Sequence, residues 1–205
     1  MIYCAHVARG HESGALVLCP PAIRMAQIGD GMPKRDKNSV SLAGEFAVLS
    51  QLALQNFNAS MTLGHTKGVD ILISDPAKRM YRLGVKTTCQ NSKKDATKSK
   101  DFGKFLDSWM MNKKQEDVDD PALFYCFVHI VDLEKEKIFR FFILPCKIVA
   151  KYVKEEHQYW RKAKQKEGRR VKDTDMRLLR IGLEGEEYPV DTPLAKSCEN
   201  NWEFA

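Results

Sequence analysis

The succession of hydrophobic patterns predicts an α/β protein in which helices cover a central mixed β-sheet. Three observations carry this expectation. An amphipathic helical run begins near residue 41. Two short strands joined by a turn span residues 69–88. A continuous apolar strand over residues 123–131 is followed by a second strand and another helix.

The elements follow in order. Residues 1–38 sustain no period and contain Pro20, Pro21, Gly29, Gly31 and Pro33, so they read as an irregular N-terminal extension. Met25 and Met32 stand within it as alternative starts, and residues 1–31 could fall outside the natural reading frame. From Ser41, which is read as a cap, Leu42, Phe46, Leu49 and Ala53 form one apolar stripe and Glu45 falls in the first turn. Strands are expected over 59–63, 69–74 and 80–88, the last two forming a hairpin across the turn at 75–79. A short helix is expected around 102–111, from the four-residue spacing of Phe105 and Trp109. The run LFYCFVHIV at 123–131 reads as a strand buried on both faces, paired with 138–144. Pro145 then opens a helix carrying Val149, Tyr152, Val153, Trp160 and Ala163. The main domain is thus residues 39–172. Residues 173–205, with one strand at 176–181, pack on it or trail from it.

Composition narrows the function classes. The chain has 205 residues, is 43% hydrophobic and 29% charged, and has no apolar stretch near the roughly 20 residues needed to span a bilayer. Residues 15–19 make a poor signal peptide, and the six cysteines show neither zinc-ligand spacing nor a disulfide pattern, so reduced thiols in a cytoplasmic protein are expected. The net charge of +6 matters less than its placement. Residues 161–172 hold seven basic side chains against Glu167, and 93–104 hold five against Asp95 and Asp101. Such runs suit a phosphate backbone, or form an ordinary solvated face.

Alternation puts Arg82, Gly84, Lys86 and Thr88 on one face of the third strand, and Asp70 at the entrance of the strand before it. Burying either charge unpaired costs about several kcal/mol, so the two should face each other or a common ion. Taken together, Gly44-Glu45, the segment GVDIL at 68–72 and the segment YRLGVKT at 81–87 resemble the PD-(D/E)xK nucleases, most closely a small bacterial group. The likeness spans about residues 39–165.

The resemblance implies a restriction-endonuclease-like core and metal-assisted hydrolysis of DNA phosphodiester bonds with Mg²⁺ or Mn²⁺. Asp70 would bind the metal, joined by Glu45 and the Val85 backbone carbonyl. Lys86 would position the attacking water or stabilise charge on the phosphate. Lys67, Thr87, Lys93, Lys94, Arg169 and Arg170 are the candidate nucleic-acid contacts, and a homodimer is compatible with the pattern. The departure is Gly84, which stands where the motif carries an acid. Catalysis could survive on the remaining ligands, or the protein could keep only nucleic-acid or protein binding; a single-residue sequence variant is the third alternative.

Several residues have a plainer reading beside the sharper one. His129 is expected to be a hydrogen-bonded core histidine, and His65 a solvated loop residue. Thr88 and Gln90 could reach a phosphate or simply end a strand. Tyr152 and Trp160 fit a core better than a base-stacking surface, which Tyr159 could also serve. Cys89 is a weak nucleophile candidate.

Overall fold

A computed structural model describes residues 36–62, 68–90, 96–133 and 136–204. The elements in chain order are helix α1 (Lys37–Leu54), strands β1 (Asn58–Met61), β2 (Ile71–Ser74), β3 (Met80–Gln90), β4 (Thr97–Ser99) and β5 (Gly103–Asn112), and a 3-10 turn (Lys113–Asp117). There follow β6 (Leu123–Asp132), β7 (Lys137–Pro145), helix α2 (Cys146–Lys166), β8 (Met176–Gly182) and the short helix α3 (Ala195–Cys198).

The α1 helix starts four residues before the expected Ser41. Asp36 is its cap and accepts a hydrogen bond from the Ser39 N–H at 3.0 Å, satisfying one of the free donors of the first turn. Glu45 therefore lies in the third turn rather than the first. The buried face is also not the expected one. Gly44, Val48 and Leu52 meet the sheet, whereas Leu42 and Phe46 are 44% and 54% exposed. The reason is the close approach at Gly44, where an added Cβ would lie 2.0 Å from Thr87 Oγ1. A glycine contributes nothing to an apolar pattern, yet it decides which side of this helix can reach the strand.

The central sheet has the order β1-β2-β3-β6-β7. β2 and β3 form the expected hairpin, with Ile71 opposite Leu83 and Ser74 opposite Met80. Its turn is held by Asp75, whose Oδ1 accepts the Arg79 N–H at 2.8 Å. β3 and β6 run parallel, and β6 and β7 are the second expected hairpin. The sheet is thus mixed and flanked by helices, as expected of the fold class.

Alternation divides its side chains into two cores. Ile71, Ile73, Leu83, Val85, Cys126 and Val128 pack with Val48 and Leu52 of α1, and Trp202 and Phe204 close that layer. Tyr125, Phe127, Phe142 and Leu144 face the other way, onto Val149, Tyr152 and Val153 of α2. Full burial of one such aliphatic side chain stabilises the fold by about 1.5–3 kcal/mol.

The crossover from β3 to β6 corrects the expected helix at 102–111. That segment is strand β5, in a second sheet ordered β4-β5-β8, with Trp109 opposite Leu179. A four-residue spacing fits a strand face as well as a helix face, and the pairing partner lies far downstream in sequence. Alternation around buried Trp109 and Met111, with Met110 exposed between them, records the strand period. Pro145 is the cap residue of α2 as expected, and Tyr152 is buried there, while Trp160 is only half-buried against the His157 ring. In the C-terminal segment, Glu199 is tied to Arg140 by hydrogen bonds of 2.7 and 2.8 Å.

Candidate active site

β2 begins one residue after Asp70, so β3 loses its outer strand partner just past Leu83. Asp70 fills that gap. Its N–H donates to the Leu83 carbonyl at 2.9 Å, and its Oδ2 accepts the Val85 N–H at 2.6 Å. A charge-assisted bond of this kind is stronger than a neutral one, and it pins the carboxylate to the sheet edge beside Gly84, Val85 and Lys86. Backbone groups of alternate residues leave a strand on the same side, so the Val85 carbonyl leaves β3 on the edge where Asp70 sits.

Glu45 reaches this edge from α1, and the Ser41 hydroxyl donates to its Oε1 at 3.3 Å. Burial raises the Glu45 pKa above the ordinary glutamate value, and the nearby Asp70 charge raises it further. The Ser41 bond and the Lys86 ammonium pull in the opposite direction. Glu45, on the helix, thus senses the charge of Asp70 at the strand entrance and of Lys86 in the strand interior.

The donor set consists of hard oxygens: two carboxylates and a carbonyl. Mg²⁺ and Mn²⁺ take such ligands and fill the rest of an octahedron with water or phosphate oxygens. By their chemistry alone, oxygens of this kind suit such an ion. Among the described residues, no group of three His, Cys, Asp or Glu side chains is arranged to hold a metal. At the third position Gly84 offers no side chain, and Tyr125 lies opposite it on β6. Burial pushes the Tyr125 hydroxyl pKa up; the Cys146 and Asp70 charges act the same way, against a hydrogen bond from Gln115.

No protein-family model and no curated protein sequence matches the chain. Among solved structures it is similar to a bacterial homing endonuclease, I-Ssp6803I. The two share 11% identity at a TM-score of 0.40, over 82% of this chain and 90% of that one.

The other sequence candidates separate. Thr87 turns toward α1 beneath Gly44, and its buried hydroxyl oxygen has no hydrogen-bond partner, a placement under the helix rather than at a phosphate-facing surface. Thr88 and Gln90 do not end the strand freely. Both donate to Asp107 of β5, Gln90 Nε2 at 2.7 Å, and His129 Nδ1 lies 2.7 Å from the same carboxylate. Asp107 is only 4% exposed and ties the second sheet to the first. Sequence reasoning placed His129 in a hydrogen-bonded core and missed Asp107, because the segment holding it read as a helix; an acid inside an otherwise apolar stretch was the available signal.

Lys67, Lys93, Lys94 and His65 lie outside the described residues. Arg169 and Arg170 are exposed just beyond the end of α2. The two basic runs meet: Lys164 pairs with Asp101 at 2.7 Å, and Lys100 with Glu167 at 2.6 Å. Those two lysines are engaged in ion pairs within the chain. Tyr159 packs edge-on against Phe102 with ring centroids 5.4 Å apart.

Proposed function

We propose that this protein is a nuclease-like DNA-binding protein in which Glu45, Asp70 and the Val85 carbonyl bind one divalent cation, Mg²⁺ or Mn²⁺, next to Lys86. The observation that supports the reading is that Asp70 is pinned at the edge of β3 by the Val85 N–H, where burial and then the Asp70 charge raise the proton affinity of Glu45. Two carboxylates drawn together at a cost are what a cation would relieve. The order of Glu45, Asp70 and Lys86 in the chain, with its resemblance to PD-(D/E)xK nucleases, points the same way.

When bound, such an ion polarises a phosphodiester and lowers the pKa of a coordinated water. Asp70 is held in place by the Val85 N–H. Lys86, on the Gly84 face, offers an ammonium to the negative charge that builds up on the phosphate or to the attacking water. Arg169 and Arg170, together with Lys67, Lys93 and Lys94, supply the sequence-independent grip on the backbone. Incubating the protein with supercoiled plasmid and Mn²⁺ or Mg²⁺ tests this. Nicking that is lost in Asp70→Ala and Lys86→Ala is expected, and nicking that survives both changes would refute the site.

The second reading is DNA binding without hydrolysis, and Gly84 is the observation that favours it, since it leaves the site with two carboxylates. Steeply salt-dependent binding, with no nicking under any metal, would select it.

A further inference from the structure

Gly84 is a glycine because of what stands over it. In the parallel register it lies opposite Tyr125, and an added Cβ would fall 2.9 Å from the Gly68 carbonyl oxygen and 2.9 Å from both Cδ1 and Cε1 of the Tyr125 ring. Real Cβ atoms do not sit that close to a backbone oxygen or to a rigid ring. The ring is also held where it is. Tyr125 is buried and stacks on Phe127 with centroids 6.1 Å apart. Gln115 stands near its hydroxyl and is itself fixed, because its Oε1 accepts the Asn112 N–H at 2.8 Å in the capping box of the 3-10 turn.

We infer that Tyr125 is a specificity-determining wall of the cation site: with the Gly68 carbonyl it excludes any side chain at position 84 and so keeps the site at two carboxylates. This inference rests on the cation site proposed above. Its consequence is a divalent-cation site with more coordination positions left to water and phosphate oxygens than a three-carboxylate site would have. Restoring an acid at position 84 alone should therefore fail, and removing the ring at the same time, which leaves only the Gly68 carbonyl of these two to shift, should succeed.

Calorimetric titration of the full chain with Mn²⁺ tests this without reference to turnover. Gly84→Glu alone is expected to melt several degrees lower than the unmodified protein and to bind no more tightly. Tyr125→Val alone should leave affinity within about threefold, whereas Gly84→Glu with Tyr125→Val should tighten it by about tenfold or more, through the added carboxylate. Equal tightening by Gly84→Glu alone, or a folded double variant that binds no more tightly than the unmodified protein, would overturn the inference.

A melting-temperature cycle with Gly84→Ala reads the wall independently of metal. The loss caused by Gly84→Ala should fall by at least about half when Tyr125 is already valine, because the coupled partner is gone. An undiminished loss would overturn the inference whatever the titrations show. Glu45→Gln and Asp70→Asn separate the two claims. If neither alters Mn²⁺ binding, the cation site itself is wrong, while the melting cycle still decides whether Tyr125 closes position 84.

Discussion

Gly44→Ala is the sharpest perturbation of the contact that delivers Glu45 to the sheet. The new methyl group would lie 2.0 Å from Thr87 Oγ1, 2.9 Å from its Cγ2 and 3.0 Å from its Cβ. Relief requires α1 to lift or Thr87 to rotate within a packed layer beside Val48 and Val85. Overpacking of this kind costs about 1–3 kcal/mol. A 2.0 Å approach belongs in the upper part of that range, about 2–3 kcal/mol, and alanine recovers about 1 kcal/mol over glycine in helix propensity, so a net loss of about 1–2 kcal/mol is expected. Thermal denaturation should show a fall of about 2–8 °C, at 2–4 °C per kcal/mol for a chain of this size.

Thr87→Ala in the same background should reverse the loss. It removes the two nearest clashing atoms, Oγ1 and Cγ2, the first being a buried hydroxyl oxygen that has no partner. The double variant is therefore expected to be at least as stable as the unmodified protein. A Gly44→Ala protein with an unchanged or higher melting temperature, in the presence of Thr87, would refute the claim that close approach at Gly44 sets the helix orientation.

Three further outcomes follow from the same geometry. Leu52→Ala should cost about 2–5 kcal/mol in urea unfolding, while Phe46→Ala should stay within about 0.5 kcal/mol, because only the first residue is in the core; a reversal would return the helix to the face read from sequence. The raised Glu45 pKa favours the folded state at pH values below the ordinary glutamate range, and this contribution is lost as pH rises through the folded value. Glu45→Gln should therefore raise the melting temperature at pH 7 and lose that advantage near pH 4, and a pH-independent difference would count against the raised pKa of Glu45. Asp107→Ala would leave the Thr88, Gln90 and His129 donors without their shared acceptor. It should cost about 3 kcal/mol or more in urea unfolding, and a near-neutral result would show that the second sheet does not depend on this tie.

The legible features of the fold were those written in local pattern. The hairpin from β2 to β3 is bounded by turn residues, and the β6 strand is a nine-residue apolar run that few other structures would accommodate. Pro145 marks the start of α2 because its fixed φ suits a helix N-terminus. The candidate residues drew notice for a related reason: Asp70 stands at the entrance of a strand and Lys86 inside one, and a charge in such a place needs a partner. What they meet was not legible. Neither the Val85 N–H that holds Asp70 nor the Asp107 carboxylate that collects Thr88, Gln90 and His129 leaves a trace in the order of residues.

The sequence by itself determined the mixed α/β class and most of its strands, and marked Asp70 and Lys86 as charges in need of a partner; Glu45 was nominated by the resemblance to a nuclease family. Local periodicity and the cost of burying charge are properties of neighbouring residues. Only the tertiary structure decided that β5 is a strand, since its partner β8 lies far along the chain and the spacing of Phe105 and Trp109 suits either period. It also decided that α1 turns Gly44, Val48 and Leu52 inward, because contact distance rather than hydrophobicity selects that face. The same holds for Gly84: the sequence exposes a missing acid, and the packing supplies the cause, a Tyr125 ring and a Gly68 carbonyl in the space a side chain would need.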